Sequence, residues 1–418
     1  MEYKFSQSIA FLSLTILMGI TTSLFSQNCE NDSTGLIPLI DLESGYYYGF
    51  QGGLYFGSNH KPVQQVNNVN NAISKIYPLN PSGTIDLDNG RVVLLSIGAS
   101  NPKTEFQSFQ NIADTFSLIN PFLTIVNGCD GGNGIQQINH PTNEYWTYVS
   151  NQLSSSGVNN LQVQIIWIEQ ENTTSLNYIF PSAPLDLMND FKTLFKLLLQ
   201  TYPNLQICYL TGRGYSGYID NLSTPGPGLR QPRDYFNGWT LKWLIEAQIK
   251  GDISLTFTGP KRKAPVLDWG AYLWADGNNP RNDGFETDCP DDVQPYDGLH
   301  WSSTGNDKAG SAIFQKFYND PEAIQWFLKT EYNTSIEDYN NTYFEIYPNP
   351  SSDFFFVKSN YNQLFDIYIY SDLGELIKVE KNISNNQIIT TDFHPGIYLL
   401  KVKTQTNTFF TSKLIVGN

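Results

Sequence analysis

The chain has four histidines in 418 residues, and one of them, His300, follows Asp297 by three positions in Asp297-Gly298-Leu299-His300. That spacing lets a carboxylate reach the imidazole, fix its tautomer and leave the other ring nitrogen free as a general base. Far upstream, Gly98-Ala99-Ser100-Asn101 puts a serine after an apolar run and ahead of a helical pattern. A serine there is exposed at the top of a sheet, and its own N–H, near a helix N-terminus, can stabilise an oxyanion. The competing role is a simple helix N-cap. Taken together, serine, imidazole and carboxylate suit acyl transfer through a covalent intermediate, chemistry that requires no metal or organic cofactor.

These residues need a scaffold that returns distant positions to one place. Four apolar runs, Arg91–Ile97, Phe122–Val126, Val163–Ile168 and Leu205–Leu210, suit strands buried on both faces. Helical patterns alternate with them over Glu105–Phe116, Asn143–Leu153, Pro184–Thr201 and Gly238–Ile249, and a last one covers Asp307–Phe317. Strand–helix alternation predicts an α/β fold, a three-layer parallel sheet flanked by helices, in which ligands bind outside the carboxyl ends of the strands. Arg213 falls at such an end and is a candidate substrate contact, or a loop salt bridge. Trp269 and Trp274, in DWGAYLWADG ahead of the Asp297–His300 block, either stack on sugar rings or fill core.

After Phe327 the composition changes. Residues 329–344 read as a polar linker, and residues 345–418 as short alternating strands separated by turns, a small all-β sandwich. The net charge of −15 lies almost wholly upstream, since the tail balances seven acids with six lysines. Such acidity argues against a nucleic-acid partner. At the other end, Lys4, the apolar run Ile9–Ile20 and the small polar stretch up to Gln27 read as a secretory signal peptide over residues 1–26. No second run is long enough to span a bilayer, so no stable transmembrane segment is expected after cleavage. Four cysteines, Cys29, Cys129, Cys208 and Cys289, permit two disulfides in an exported chain, or leave Cys129 and Cys208 as buried thiols.

The Gly98-Ala99-Ser100-Asn101 and Asp297-Gly298-Leu299-His300 blocks resemble those of the SGNH, or GDSL-like, hydrolases, over about residues 45–328. The resemblance implies a flavodoxin-like α/β domain over residues 27–328, with Ser100 as nucleophile, His300 as base and Asp297 as its orienting acid. The family's second block maps to Asn127–Gly132 and implies an oxyanion-hole N–H from Gly131, with Gly132 the alternate. The third block departs from the family's Gly-x-Asn-Asp: Glu169-Gln170-Glu171-Asn172 offers Gln170 or Asn172 as the side-chain donor. Ala99 stands where the first block usually has aspartate, and Asn101 joins the candidate substrate contacts. The tail resembles the type A C-terminal sorting domain of the type IX secretion system, through Tyr347-Pro348-Asn349-Pro350, Ile369–Gly374, Gly396–Val402 and Lys413–Val416. It implies recognition by that machinery and export across the outer membrane, to the medium or the cell surface. The expected function is a secreted esterase acting on an ester, with O-acylated carbohydrate a candidate substrate. The alternative is a non-catalytic surface protein that binds glycan on the same fold.

Overall fold

The computed structural model describes residues 27–220, 225–329, 344–359, 364–371, 375–384, 387–404 and 409–417. The signal-peptide region 1–26, residues 330–343 of the linker, and the Asp372-Leu373-Gly374 turn lie outside the described residues. The chain divides into two units, up to residue 330 and from residue 331.

In the first unit the four apolar runs are strands: β1 (Val92–Gly98), β2 (Leu123–Asn127), β3 (Val163–Glu169) and β4 (Ile207–Gly212). A fifth, β5 (Val266–Tyr272), completes a parallel sheet of order β2-β1-β3-β4-β5. It escaped the apolar-run criterion because Asp268 and Gly270 interrupt it. Asp268 is buried against Lys61 Nζ (2.8 Å), the Tyr55 hydroxyl (3.0 Å) and Gln65 Nε2 (3.2 Å), which satisfy its oxygens. A side chain at Gly270 would stand 2.2 Å from Thr211 Oγ1 on the neighbouring strand, so only glycine fits.

Alternate residues of the strands face opposite layers, as pleating requires. On one side Val93, Leu95 and Ile97 pack on α3 (Glu144–Ser155), α4 (Ser182–Thr201) and α5 (Arg233–Ile249). On the other, Val92, Leu94 and Trp167 pack on α1 (Val63–Ile73), α2 (Ser100–Thr115) and α6 (Ser303–Asn319). The result is the expected three-layer arrangement. Helices α2, α5 and α6 start four or five residues before the positions that apolar spacing gave. The first turns of α2 and α6 are polar or glycine-bearing, so periodicity does not register them, while that of α5 buries Tyr235 and Phe236 beside the polar Arg233 and Asp234.

In the second unit, β6 (Phe344–Tyr347), β7 (Phe354–Ser359), β8 (Phe365–Tyr370), β9 (Leu376–Ile383), β10 (Ile388–Thr390), β11 (Gly396–Thr404) and β12 (Phe409–Val416) form two antiparallel sheets, β9-β8-β11-β12 and β10-β7-β6. Phe355, Val357 and Ile389 of one sheet share a core with Ile367, Ile369, Leu400 and Leu414 of the other. Strands β9 and β10 were not read from sequence; both are mostly exposed, and β9 interleaves three charged residues with its apolar ones.

One disulfide, Cys29–Cys289, closes the first unit, while Cys129 and Cys208 are buried thiols. No helix of the described residues is long and apolar enough to cross a membrane.

Candidate functional site

Strand β1 ends at Gly98, and α2 begins at Ser100 itself rather than at Glu105. The turn between them is tight. A side chain at Gly98 would stand 2.4 Å from Pro102 and 3.0 Å from Cys129 Sγ, so the close approach of helix to strand demands glycine. The first helical hydrogen bond runs from Lys103 N–H to Ala99 O. The N–H groups of Ser100 and Asn101 precede it and have no acceptor within the helix, and Pro102 has no N–H to leave orphaned.

Asp297 and His300 arrive beside this turn from the loop ahead of α6. His300 Nε2 lies 2.8 Å from Ser100 Oγ, and His300 Nδ1 lies 2.5 Å from Asp297 Oδ2. The other oxygen of Asp297 accepts the N–H groups of Leu299 and His300, both at 3.0 Å. Burial pushes the Asp297 carboxyl up, but its bonds to His300 and to those N–H groups outweigh burial and hold it below the usual carboxylate range. An ionised carboxylate orients the imidazole with Nδ1–H toward Asp297 and Nε2 toward the hydroxyl. Gly298 makes the loop possible: its φ is +64°, and a side chain would stand 2.1 Å from Tyr218 O.

The remaining candidates divide. Ser100, Asn101, Gly132, Gln170 and Arg213 line one cleft, together with Leu299. Gly131 sits next to it; a side chain there would have Ser100 Cβ as its nearest neighbour, at 3.8 Å. Among the described residues no hydrogen bond takes the N–H of Gly131 or Gly132. Gln170 is buried and gives one amide hydrogen to Asn133 O at 3.1 Å, leaving the second. Asn172 turns away: its amide donates to Asp190 Oδ2 at 2.9 Å, and it does not line the cleft. Asn101 donates to Leu299 O at 3.0 Å.

Trp269 and Trp274 do not face the cleft. Trp269, on β5, and Trp274, two residues beyond it, are 1% and 0% exposed, and their indole N–H groups go to Leu54 O and Asp234 Oδ2. They are core, because β5 is a sheet strand and not a loop. The exposed aromatic at the site is one that the sequence did not single out: Tyr296, whose ring centre is 6.2 Å from that of His300.

Sequence reasoning also missed a set of buried carboxyls behind the cleft. Glu169 at the end of β3 and Glu105 on α2 are both buried, each with an oxygen that has no hydrogen-bond partner, and burial pushes both carboxyls up, Glu169 the further because Glu105 faces it. One proton shared between them relieves the repulsion. Glu171 accepts from Arg233 Nη2 at 2.5 Å and from Asn237 Nδ2 at 3.2 Å. The positive charge of Arg213 acts on Glu105, Glu169, Glu171 and Asp234 together. Arg213 thus lines the cleft, and its positive charge lowers these acids without forming an ion pair with any of them. The signal was present in Glu169-Gln170-Glu171, where three polar residues in a row end a mostly apolar strand. Among the described residues no group of three His, Cys, Asp or Glu side chains could hold a metal ion.

Comparison with known proteins bears on the second unit. Residues 345–417 match the family described as the secretion system C-terminal sorting domain. The C-terminal unit is therefore a type IX sorting domain, as its four motifs imply, and the protein is a substrate for export across the outer membrane. No curated protein matches the chain. Among solved structures, the chain is similar to a Cellulomonas fimi endo-β-1,4-mannanase double mutant, with 8% identity, covering 77% of this chain and 59% of that one, at a TM-score of 0.19. It is similar also to the Clostridium perfringens spore cortex lytic enzyme, with 11% identity, 79% and 92% covered, and a TM-score of 0.20. The chain spans about three fifths of the mannanase. At such scores these likenesses carry no argument about fold or chemistry, and none of the comparisons supports the SGNH resemblance of residues 27–328.

Proposed function

We propose that the first unit is a serine esterase of the SGNH-like kind, exported by means of its sorting domain. The observation that carries this reading is the hydrogen-bonded chain from Asp297 through His300 to Ser100, at 2.5 and 2.8 Å. His300 Nε2 takes the hydroxyl proton as Ser100 Oγ attacks the ester carbonyl. The N–H groups of Ser100 and Gly131, with the second amide hydrogen of Gln170, hold the oxyanion. His300 then returns the proton to the departing alcohol, and water releases the acid by the same route in reverse.

The cleft contains Arg213, already surrounded by acids, which favours a neutral acyl group over an anionic one. An O-acetylated polysaccharide outside the cell is the natural substrate class we favour. Hydrolysis of p-nitrophenyl acetate by the purified protein, and its loss in Ser100→Ala, tests the reading. Activity that survives Ser100→Ala overturns the nucleophile. A wild-type protein inert toward short-chain esters and acetylated glycans points to the glycan-binding alternative.

A further inference from the structure

The helix that begins at Ser100 also grips the segment that carries His300. Asn101 Nδ2 donates to Leu299 O at 3.0 Å. Trp301 Nε1 donates to Glu105 Oε1 at 2.5 Å. Ser108 Oγ bonds Asp307 Oδ1 at 3.0 Å. Positions 101, 105 and 108 are spaced by four and three, so they share one face of α2. The first two contacts fall on the residues immediately before and after His300.

Trp301 is suited to act as a fixed lever. It is 4% exposed, and its ring occupies space that only glycines leave. A side chain at Gly214 would stand 2.3 Å from the ring, and one at Gly305 would stand 2.5 Å from it. Glu105 is fully buried and faces the buried Glu169 at the end of β3. Nothing in this chain of contacts touches the reacting atoms, yet it joins the helix bearing the nucleophile to both neighbours of the base.

We propose that Asn101 and Glu105 are positioning residues, which set the distance between Ser100 Oγ and His300 Nε2 by holding Leu299 and Trp301 against the helix that starts with the nucleophile. The proposal rests on the esterase reading and deepens it. A general base must stay within hydrogen-bond reach of its proton, and small displacements are costly in turnover.

Trp301→Phe removes the N–H and replaces the indole by a smaller phenyl ring, so it releases position 301 both from Glu105 and from the space between Gly214 and Gly305. In the full-length exported protein it should lower kcat on p-nitrophenyl acetate about tenfold, with KM within about twofold of wild type. Glu105→Gln should stay close to wild type, because its amide oxygen still accepts from Trp301 and its amide N–H₂ can donate to Glu169. A second measurement does not depend on turnover: the low-field proton resonance of the His300 Nδ1–H bond to Asp297. It should exchange faster with water in Trp301→Phe than in wild type or Glu105→Gln. Folded Trp301→Phe protein with wild-type kcat and an unchanged resonance overturns the proposal, as does Glu105→Gln falling as far as Trp301→Phe on both readouts. If wild type shows no hydrolysis that Ser100→Ala removes, the esterase reading fails by itself, and the resonance alone decides whether the clamp exists.

Discussion

In the sorting unit, the family match runs from residue 345 to 417 and takes in the strands of two sheets. In the upstream unit, the proposed chemistry depends on three side chains drawn from positions 100, 297 and 300. The first kind of function is written as a pattern: alternating strands, a Tyr-Pro-Asn-Pro turn, a closing Lys-Leu-Ile-Val strand. The second is written as a geometry, which residues far apart in sequence acquire only once a parallel sheet has brought its carboxyl ends together. A pattern degrades gradually under substitution and fails when removed as a block. A geometry fails at single atoms.

The largest effect should be at the geometry. Ser100→Ala and His300→Ala should each lower esterase turnover by at least about a thousandfold, and the double variant should be little worse, because a triad acts as a unit. Additive losses in the double variant would mean that the two side chains do not work on one step. Deleting residues 345–418 tests the other side of the contrast. Export should cease in the native host, while the upstream unit recovered from inside the cell should melt at its full-length temperature. Undiminished surface or medium levels of the truncated protein would break the assignment of export to the tail.

A third effect is intermediate in size. The Cys29–Cys289 bridge spans 260 residues and ties the chain near Gln27 to the segment that leads to Asp297. Cys29→Ser with Cys289→Ser should cost about 2–5 kcal/mol of stability. Titration of denatured, unreduced protein should find two thiols, from Cys129 and Cys208. Four thiols in protein collected outside the cell would show that the bridge does not form.

Much of this was legible without coordinates, for reasons that differ by element. Strands β1 to β4 were readable because each is a short, dominantly apolar run interrupted by no more than one uncharged polar residue, such as Ser96, Thr124 or Gln164. Strand β5 was not, because its burial tolerates an ion-paired Asp268 and a glycine forced by Thr211. That single miss left Trp269 and Trp274 open between cleft and core, which β5 settles as core. Ser100, Asp297 and His300 were readable because a serine stood at a strand end and one of only four histidines stood three residues after an aspartate. Glu105 was hidden: a glutamate on a helix ordinarily faces solvent, and only the fold reveals that Glu169 and Trp301 converge on it. Asn172 lies between Glu171 and Thr173, which both line the cleft, but its amide is taken by Asp190, a contact that the local sequence does not show.

The smallest expected effect concerns that hidden pair, and its sign follows from linkage. Burial and the facing Glu105 push the Glu169 carboxyl well up, with Arg213 opposing. An unfolded glutamate loses its proton near pH 4.3. Above that pH the folded protein therefore holds a proton that the unfolded chain has released. Stability contributed by this site must fall as pH rises, until the folded pair also ionises. Glu169→Gln cannot ionise, and its amide can still donate to Glu105, so it removes the pH-dependent loss while keeping the contact. The acid-side contribution of Asp297, whose carboxyl is held low, is the same in both proteins and cancels in the comparison. The melting temperature of Glu169→Gln relative to wild type should thus be higher at pH 8 than at pH 5, by at least about 2 °C. A difference that stays constant between those pH values would mean that Glu105 and Glu169 hold no proton between them. The anchor under Trp301 would then be two charges opposed by Arg213 instead of a hydrogen-bonded pair.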